Sequence, residues 1–232
     1  MIKKILLGLL VAKAIVFGGE LNIAAAADLK FALADIIKAY EAANKDDKVK
    51  ATFGASGKLV AQITEGAPFD LFFAADISFP QKLKANGMAV GDIKPYAVGR
   101  VVMLTKSGSG IDVKQGLNIL LSDKVKKIAI ANPDVAPYGR AAVETMKTSG
   151  IYDKVAAKIV KGENVQQAAT FGITGAADVA LVAHSLVLQP TIAKDVDFFL
   201  VPQSTHKKMV QAYVMTKIGA SNASAKKFLT FF

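Results

Sequence analysis

The chain has 232 residues, 52% of them hydrophobic, a formal net charge of +10 and no cysteine. That length holds one large domain or two small lobes, and the apolar fraction excludes an intrinsically disordered chain. Disulfide chemistry is excluded, so cysteine usage assigns no compartment.

Residues 1–19 open with the basic leader "MIKK", followed by "ILLGLLVAKAIVFGG", an apolar run ending in small residues. This is the architecture of an export signal, with cleavage expected near Gly18 or Gly19. The run is too short, and too interrupted by Lys13, to make a comfortable membrane span. Loss of Lys3, Lys4 and Lys13 leaves +7. The remaining lysines are scattered, without the aromatic interleaving of a nucleic-acid face, so nucleic acid is not an expected partner. Their field can still steer a small anion.

"ELNIAAAA" (20–27) predicts a strand, and Leu29, Leu33, Ile36, Ile37 and Tyr40 mark one apolar face of the helix after it. "KVKATFG" (48–54) predicts the next strand, and "KLVAQITEG" a short helix closed by Gly66. "FDLFFAAD" (69–76), apolar on both faces, predicts a strand buried between helices, and "FPQKLKANG" is helical. "YAVGRVVMLTK" (96–106) is a β run long enough to pass from one lobe to another.

The pattern then restarts. "LNILLSD" predicts helix, "KIAIANP" strand, and "YGRAAVETMKTSG", "YDKVAAKIV" and "VQQAATFGITG" helices. "DVALVAHSLV", "VDFFLVP" and "MVQAYVMTK" predict strands, and "AKKFLTFF" opens a helix. Alternating strands and helices in two series imply an α/β protein of two lobes with mainly parallel sheets flanked by helices. The expected division is 20–97 plus 196–232 for one lobe and 98–195 for the other, hinged near 96–106 and 196–216.

In such sheets ligands lie beyond the carboxyl ends of the strands, where helices begin. Four junctions qualify: Ala27-Asp28, Ala55-Ser56-Gly57, Pro137-Tyr138-Gly139 and Asn164-Val165. "TFGASGKLV" (52–60) looks like a phosphate loop. It has Thr52 where the first glycine belongs and Leu59 where a magnesium-binding hydroxyl belongs, so nucleotide binding is set aside. Each junction alone is an ordinary cap or turn. Several helix starts aimed at one point would hold an anion with backbone N–H groups and no lysine or arginine. Ser56 adds a hydroxyl, Gly57 permits close approach, and Pro137 helps aim the Tyr138 N–H.

"AAAADLKFAL", "FGASGKLVAQITEGAPFDLFFAAD", "VGRVVMLTK", "ANPDVAPYGRAAVETM", "GENVQQAA" and "PQSTHKKMVQAYVM", in this order, resemble the periplasmic molybdate-binding proteins of ABC transporters. The resemblance covers nearly all of the chain after the signal. It implies a two-lobed type II binding-protein fold that closes on molybdate or tungstate, with no cofactor, and that delivers its ligand to a membrane permease. It implies a periplasmic location and a monomer. The family's ligand positions fall on Asp28, Ser56, Tyr138 and Val165, with Ala27 and Ala55 alongside. At Tyr138 and Val165 the donor would be the backbone. Where some relatives place a tyrosine on a late strand, this chain has Ala183 followed by His184, a residue expected to pack. The chain ends at Phe232, early in an expected closing helix.

Asp28 departs from the Ser or Asn usual there, since a carboxylate repels a dianion. It can turn away and cap its own helix by accepting from the Lys30 or Phe31 N–H. Alternatively it accepts a proton carried by the ligand, which makes phosphate or another tetrahedral oxyanion the second reading. The capped arrangement with molybdate is the expectation. Enzyme chemistry is not expected: His184 and an exposed His206 lack a carboxylate partner, the Gly-x-Ser-x-Gly elbow is absent, and no tyrosine pair suggests a hard-metal site.

Overall fold

The computed structural model describes residues 19–232; the predicted signal, apart from Gly19, lies outside them. β1 (Glu20–Ala26) leads through a 3-10 turn at Ala27–Leu29 into α1 (Lys30–Ala43). β2 (Lys48–Gly54), α2 (Ser56–Thr64), β3 (Leu71–Ala74), α3 (Ser78–Ala85) and β4 (Ala89–Gly99) follow. Along β1, Leu21, Ile23 and Ala25 alternate onto one face, where they pack with Leu33, Tyr40 and Phe228. Ala24 faces the other side with Leu59, Ile63 and Phe72. The sheet is thus buried on both faces, as the doubly apolar β3 requires.

The second half contains β5 (Val101–Lys106), β6 (Ile128–Ala131), α4 (Pro137–Thr148), α5 (Tyr152–Val155), β7 (Ile159–Gly162) and α6 (Val165–Thr174). β8 (Val179–Ala183), α7 (His184–Val187), α8 (Pro190–Ala193), β9 (Val196–Leu200), β10 (Met209–Thr216) and α9 (Ala223–Phe231) complete the chain. The strands form two sheets, β2-β1-β3-β10-β4 and β7-β6-β8-β5-β9.

Each sheet is mainly parallel, as expected, with one strand reversed. β2, β1 and β3 are parallel, as are β7, β6 and β8, but β10 and β5 run antiparallel to their neighbours. The reason is the crossing itself. The parallel strands point their carboxyl ends at the cleft, so a chain arriving from the other lobe enters at that end and runs backwards. β4 ends at Gly99 in the first sheet and β5 starts at Val101 in the second, so the long β run does pass between lobes, with Arg100 at the break.

The return crossing is displaced from the expected boundary at 195/196. β9 pairs with β5 in the second sheet, through Val102–Leu200 and Leu104–Phe198, so the chain crosses after Leu200. The segment read as helix at "YDKVAAKIV" is helical as far as Lys158, and its last two residues open an edge strand, β7, whose four residues are too few to show a period of two. His206 is buried, with Nδ1 2.8 Å from the Lys207 carbonyl oxygen, instead of exposed.

One buried carboxylate ties both ends of the described chain together. Asp47 accepts from Tyr40 Oη (2.5 Å), the Gly19 N–H (3.1 Å), Ser224 Oγ (3.0 Å) and Lys227 Nζ (3.1 Å). Burial alone would raise its pKa; these donors outweigh burial and hold it at about 2. Asp47→Ala, which strands the fully buried Tyr40 hydroxyl, should cost about 2–4 kcal/mol in chemical denaturation at pH 7. A carboxyl with a depressed folded pKa stabilises above its unfolded value near 3.8 and stops doing so as pH falls towards 2. The gap between wild type and variant should therefore narrow across that range.

Candidate functional site

The four predicted junctions meet. The turn at Ala27–Leu29 and the first residues of α2, α4 and α6 border one small cavity between the lobes. All six candidate residues, Ala27, Asp28, Ala55, Ser56, Tyr138 and Val165, line it. Ala26, Gly54, Ala75, Ala136 and Pro137 complete the lining. These five were not singled out as ligand positions, although the strand-end rule points at them: each sits at a strand end or a helix start. None of the lining residues is a lysine or arginine.

Local sequence explains each helix start. Pro137 occupies the first turn of α4, where the missing N–H costs nothing and the fixed φ suits the helix. A Cβ on Gly139 would stand 2.1 Å from the Ala131 carbonyl oxygen, so only glycine lets α4 begin this close to the end of β6. Asn164 caps α6, its Oδ1 accepting from the Gln166 and Gln167 N–H groups at 3.0 Å each. That cap leaves the Val165 N–H among the donors a helix start cannot satisfy internally. Ser56 Oγ accepts from the Ala75 N–H at 3.1 Å, which leaves its own hydrogen free to donate.

The Asp28 side chain does not cap α1. The 3-10 turn moves the helix start to Lys30, so Asp28 lies within the turn and its carboxylate points towards the crossing strands. Oδ2 accepts from Gln211 Nε2 (2.5 Å) and Tyr138 Oη (3.3 Å), and Gln211 Nε2 also donates to Tyr138 Oη (3.0 Å). Asp28 is 3% exposed. Burial pushes its carboxyl up to about 6, against the lowering effect of Gln211, the nearby Asp28 backbone and Tyr138. Burial, then the charge of Asp28, raise the Tyr96 and Tyr138 hydroxyls well above their ordinary value, so both stay protonated donors. Gln211 and Tyr96 carried no sequence signal, because only the register of the crossing strands brings them here. His184 lies outside this cavity, with its ring 5.5 Å from Phe198; burial, then Arg100, lower its pKa.

Contacts across the cleft hold the lobes together around the cavity. The Gly57 N–H donates to the Val135 carbonyl oxygen at 2.9 Å. Arg140 reaches Asp76 at 3.2 Å and lies 5.2 Å from the Phe79 ring centre, and Lys58 approaches Glu163 at 3.4 Å. A cavity walled by helix starts and closed by breakable contacts is built to admit, enclose and release a small anion.

A family model described as "Bacterial extracellular solute-binding protein" matches residues 21–232. The chain belongs to this family. Among its solute-binding relatives, the molybdate-binding protein ModA of Rhodobacter capsulatus is 39% identical over 180 residues, 77% of this chain and 69% of the relative. The Azotobacter vinelandii ModA is 33% identical over 213 residues, 91% of this chain and 83% of the relative. The solved Azotobacter vinelandii periplasmic molybdate-binding protein superposes with a TM-score of 0.83 at 31% identity, covering 91% of each chain. This solute-binding protein therefore has the two-lobed type II fold.

A Cβ at Gly57 would lie 2.9 Å from the Val135 oxygen across the cleft, while its φ is ordinary for any residue. Gly57→Val should leave circular dichroism unchanged and prevent full closure. In solution scattering, the wild-type radius of gyration should fall on solute binding and that of the variant should stay at the open value.

Proposed function

We propose that this protein captures molybdate, or the similarly sized tungstate, outside the cytoplasm and hands it to the membrane permease of an ABC importer. It is a binding protein, not an enzyme, and it needs no cofactor. The observation that carries the reading is the cavity itself: four helix starts and one free hydroxyl face a space without a cationic side chain. The relatives' names supply the oxyanion, and the resemblance of the motifs around Asp28, Ser56, Tyr138 and Val165 agrees with them.

In this reading the N–H groups of Ala27, Asp28, Tyr138 and Val165 and the Ser56 hydroxyl form the donor shell, with Ala55 against the anion. The open protein offers the Asp28 and Ser56 donors from one lobe and the Tyr138 and Val165 donors from the other. The anion docks on one lobe, the crossings at 99–101 and after 200 bend, and the second set of donors replaces its remaining water. Fixed dipoles then substitute for hydration, so no buried countercharge is needed. Sulfate is selected against by size, because its oxygens lie closer to the central atom than the shell demands. Residues 1–19 direct export to the periplasm, and the monomer is the working unit.

Titration calorimetry with molybdate, tungstate, sulfate and phosphate tests the reading. Molybdate and tungstate should bind one per chain, each at least about 100-fold tighter than sulfate or phosphate. Ser56→Ala should weaken molybdate by about 10- to 100-fold, the loss of one hydrogen bond to a charged group. Phosphate binding tighter than molybdate would transfer the site to the phosphate reading, and binding of none of the four would remove the oxyanion function.

A further inference from the structure

Asp28 is the one feature of the cavity that opposes an anion. The residue borders the space while its carboxylate turns to the crossing strands behind it; Asp28 is 3% exposed and belongs to none of the ion pairs among the described residues. The groups around it come from every neighbouring element. Tyr138 on α4 and Gln211 on β10 donate to Oδ2, and Ser185 on α7 donates to the Asp28 carbonyl oxygen at 2.8 Å. Tyr96 on β4, with Arg100 and His184 beyond it, borders the groove on the hinge side of the same carboxylate. Lys30, at the start of α1, lies over the Phe31 ring. Oδ1 is buried and has no hydrogen-bond partner.

A carboxylate with one oxygen doubly served and the other bare is an incomplete arrangement. Ionised, it leaves a buried acceptor unpaired next to the place proposed for a dianion. Protonated on Oδ1, it keeps both bonds to Oδ2 and loses its charge. Resting on the oxyanion reading above, we propose that anion capture is coupled to uptake of one proton by Asp28, so that the closed complex holds a dianion beside a neutral carboxyl. The balance is simple: carboxylate, one proton from the bulk buffer and the free dianion give the carboxylic acid and the bound dianion. Asp28 thereby makes capture stronger in acid and release easier in alkali.

The sign follows from linkage. Burial lifts the carboxyl to about 6 in this closed arrangement, and a neighbouring dianion lifts it further. Between the free and bound values, binding takes up a proton, and affinity falls by up to about tenfold per pH unit. His184, whose pKa is lowered from 6.5, is already neutral in that window.

The test is titration calorimetry with sodium molybdate at pH 7.0, 7.75 and 8.5, in buffers of different ionisation enthalpy, on wild type, Asp28→Asn and Asp28→Ser. Wild type should take up close to one proton per anion, with affinity falling by up to about tenfold per pH unit. Both variants should take up none and show flat affinity, and at pH 8.5 Asp28→Asn should bind at least about tenfold tighter than wild type. If one variant fails to fold by circular dichroism, the other decides. Tight wild-type binding with no proton uptake and flat affinity overturns the coupling and leaves the oxyanion function standing. Proton uptake that persists in a folded variant overturns its assignment to Asp28. Absence of molybdate binding by wild type at every pH removes the function reading, and the coupling falls with it.

Discussion

A small dianion gives up a large hydration energy when it enters protein, and in the proposed function this chain meets that cost with backbone dipoles. Everything in the architecture follows from the need to aim several helix starts at one point. A single α/β sheet can direct two helix starts across its topological switch, but enclosing a tetrahedral ion needs donors from opposite sides. Two sheets with their strand ends face to face supply them. The mixed direction of each sheet is then a consequence: strands that carry the chain between lobes enter from the cleft and run against their neighbours.

The same geometry brings the crossing strand β10 close behind the cavity, and with it Gln211 to Asp28 and Tyr138. Tyr138 has two roles in this arrangement. Its backbone N–H sits at the start of α4 facing the proposed anion, while its hydroxyl crosses to Asp28 on the other lobe. Closure and the charge state of Asp28 are therefore not independent. An ionised carboxylate about 5 Å from a dianion would cost on the order of 7 kcal/mol at an effective dielectric near 20, comparable to a whole micromolar binding energy. A proton on the buried oxygen removes that cost while preserving both hydrogen bonds to Oδ2.

Much of this was legible in the sequence because it depends on local chemistry. Glycine and proline at helix starts, Asn164 as a cap and the doubly apolar β3 each carry their meaning within a few residues. That is why the four junctions found in the sequence coincide with the cavity. The features that were not legible depend on register between distant segments. The pairing of β9 with β5, the burial of His206 and the approach of Gln211 to Asp28, 183 positions away, leave no local trace. The Asp28 cap failed as an expectation for a related reason. A residue before a helix reads as an N-cap, and only the backbone reveals that a 3-10 turn has moved the helix start one residue on.

A crystal structure of the complex, with the metal located by anomalous scattering at the molybdenum edge, tests the central claim most directly. The account predicts one molybdenum peak between the lobes, its oxygens within hydrogen-bond distance of Ser56 Oγ and of the backbone nitrogens at Asp28, Tyr138 and Val165. A peak held by lysine or arginine side chains, or no peak in the cleft, would contradict it.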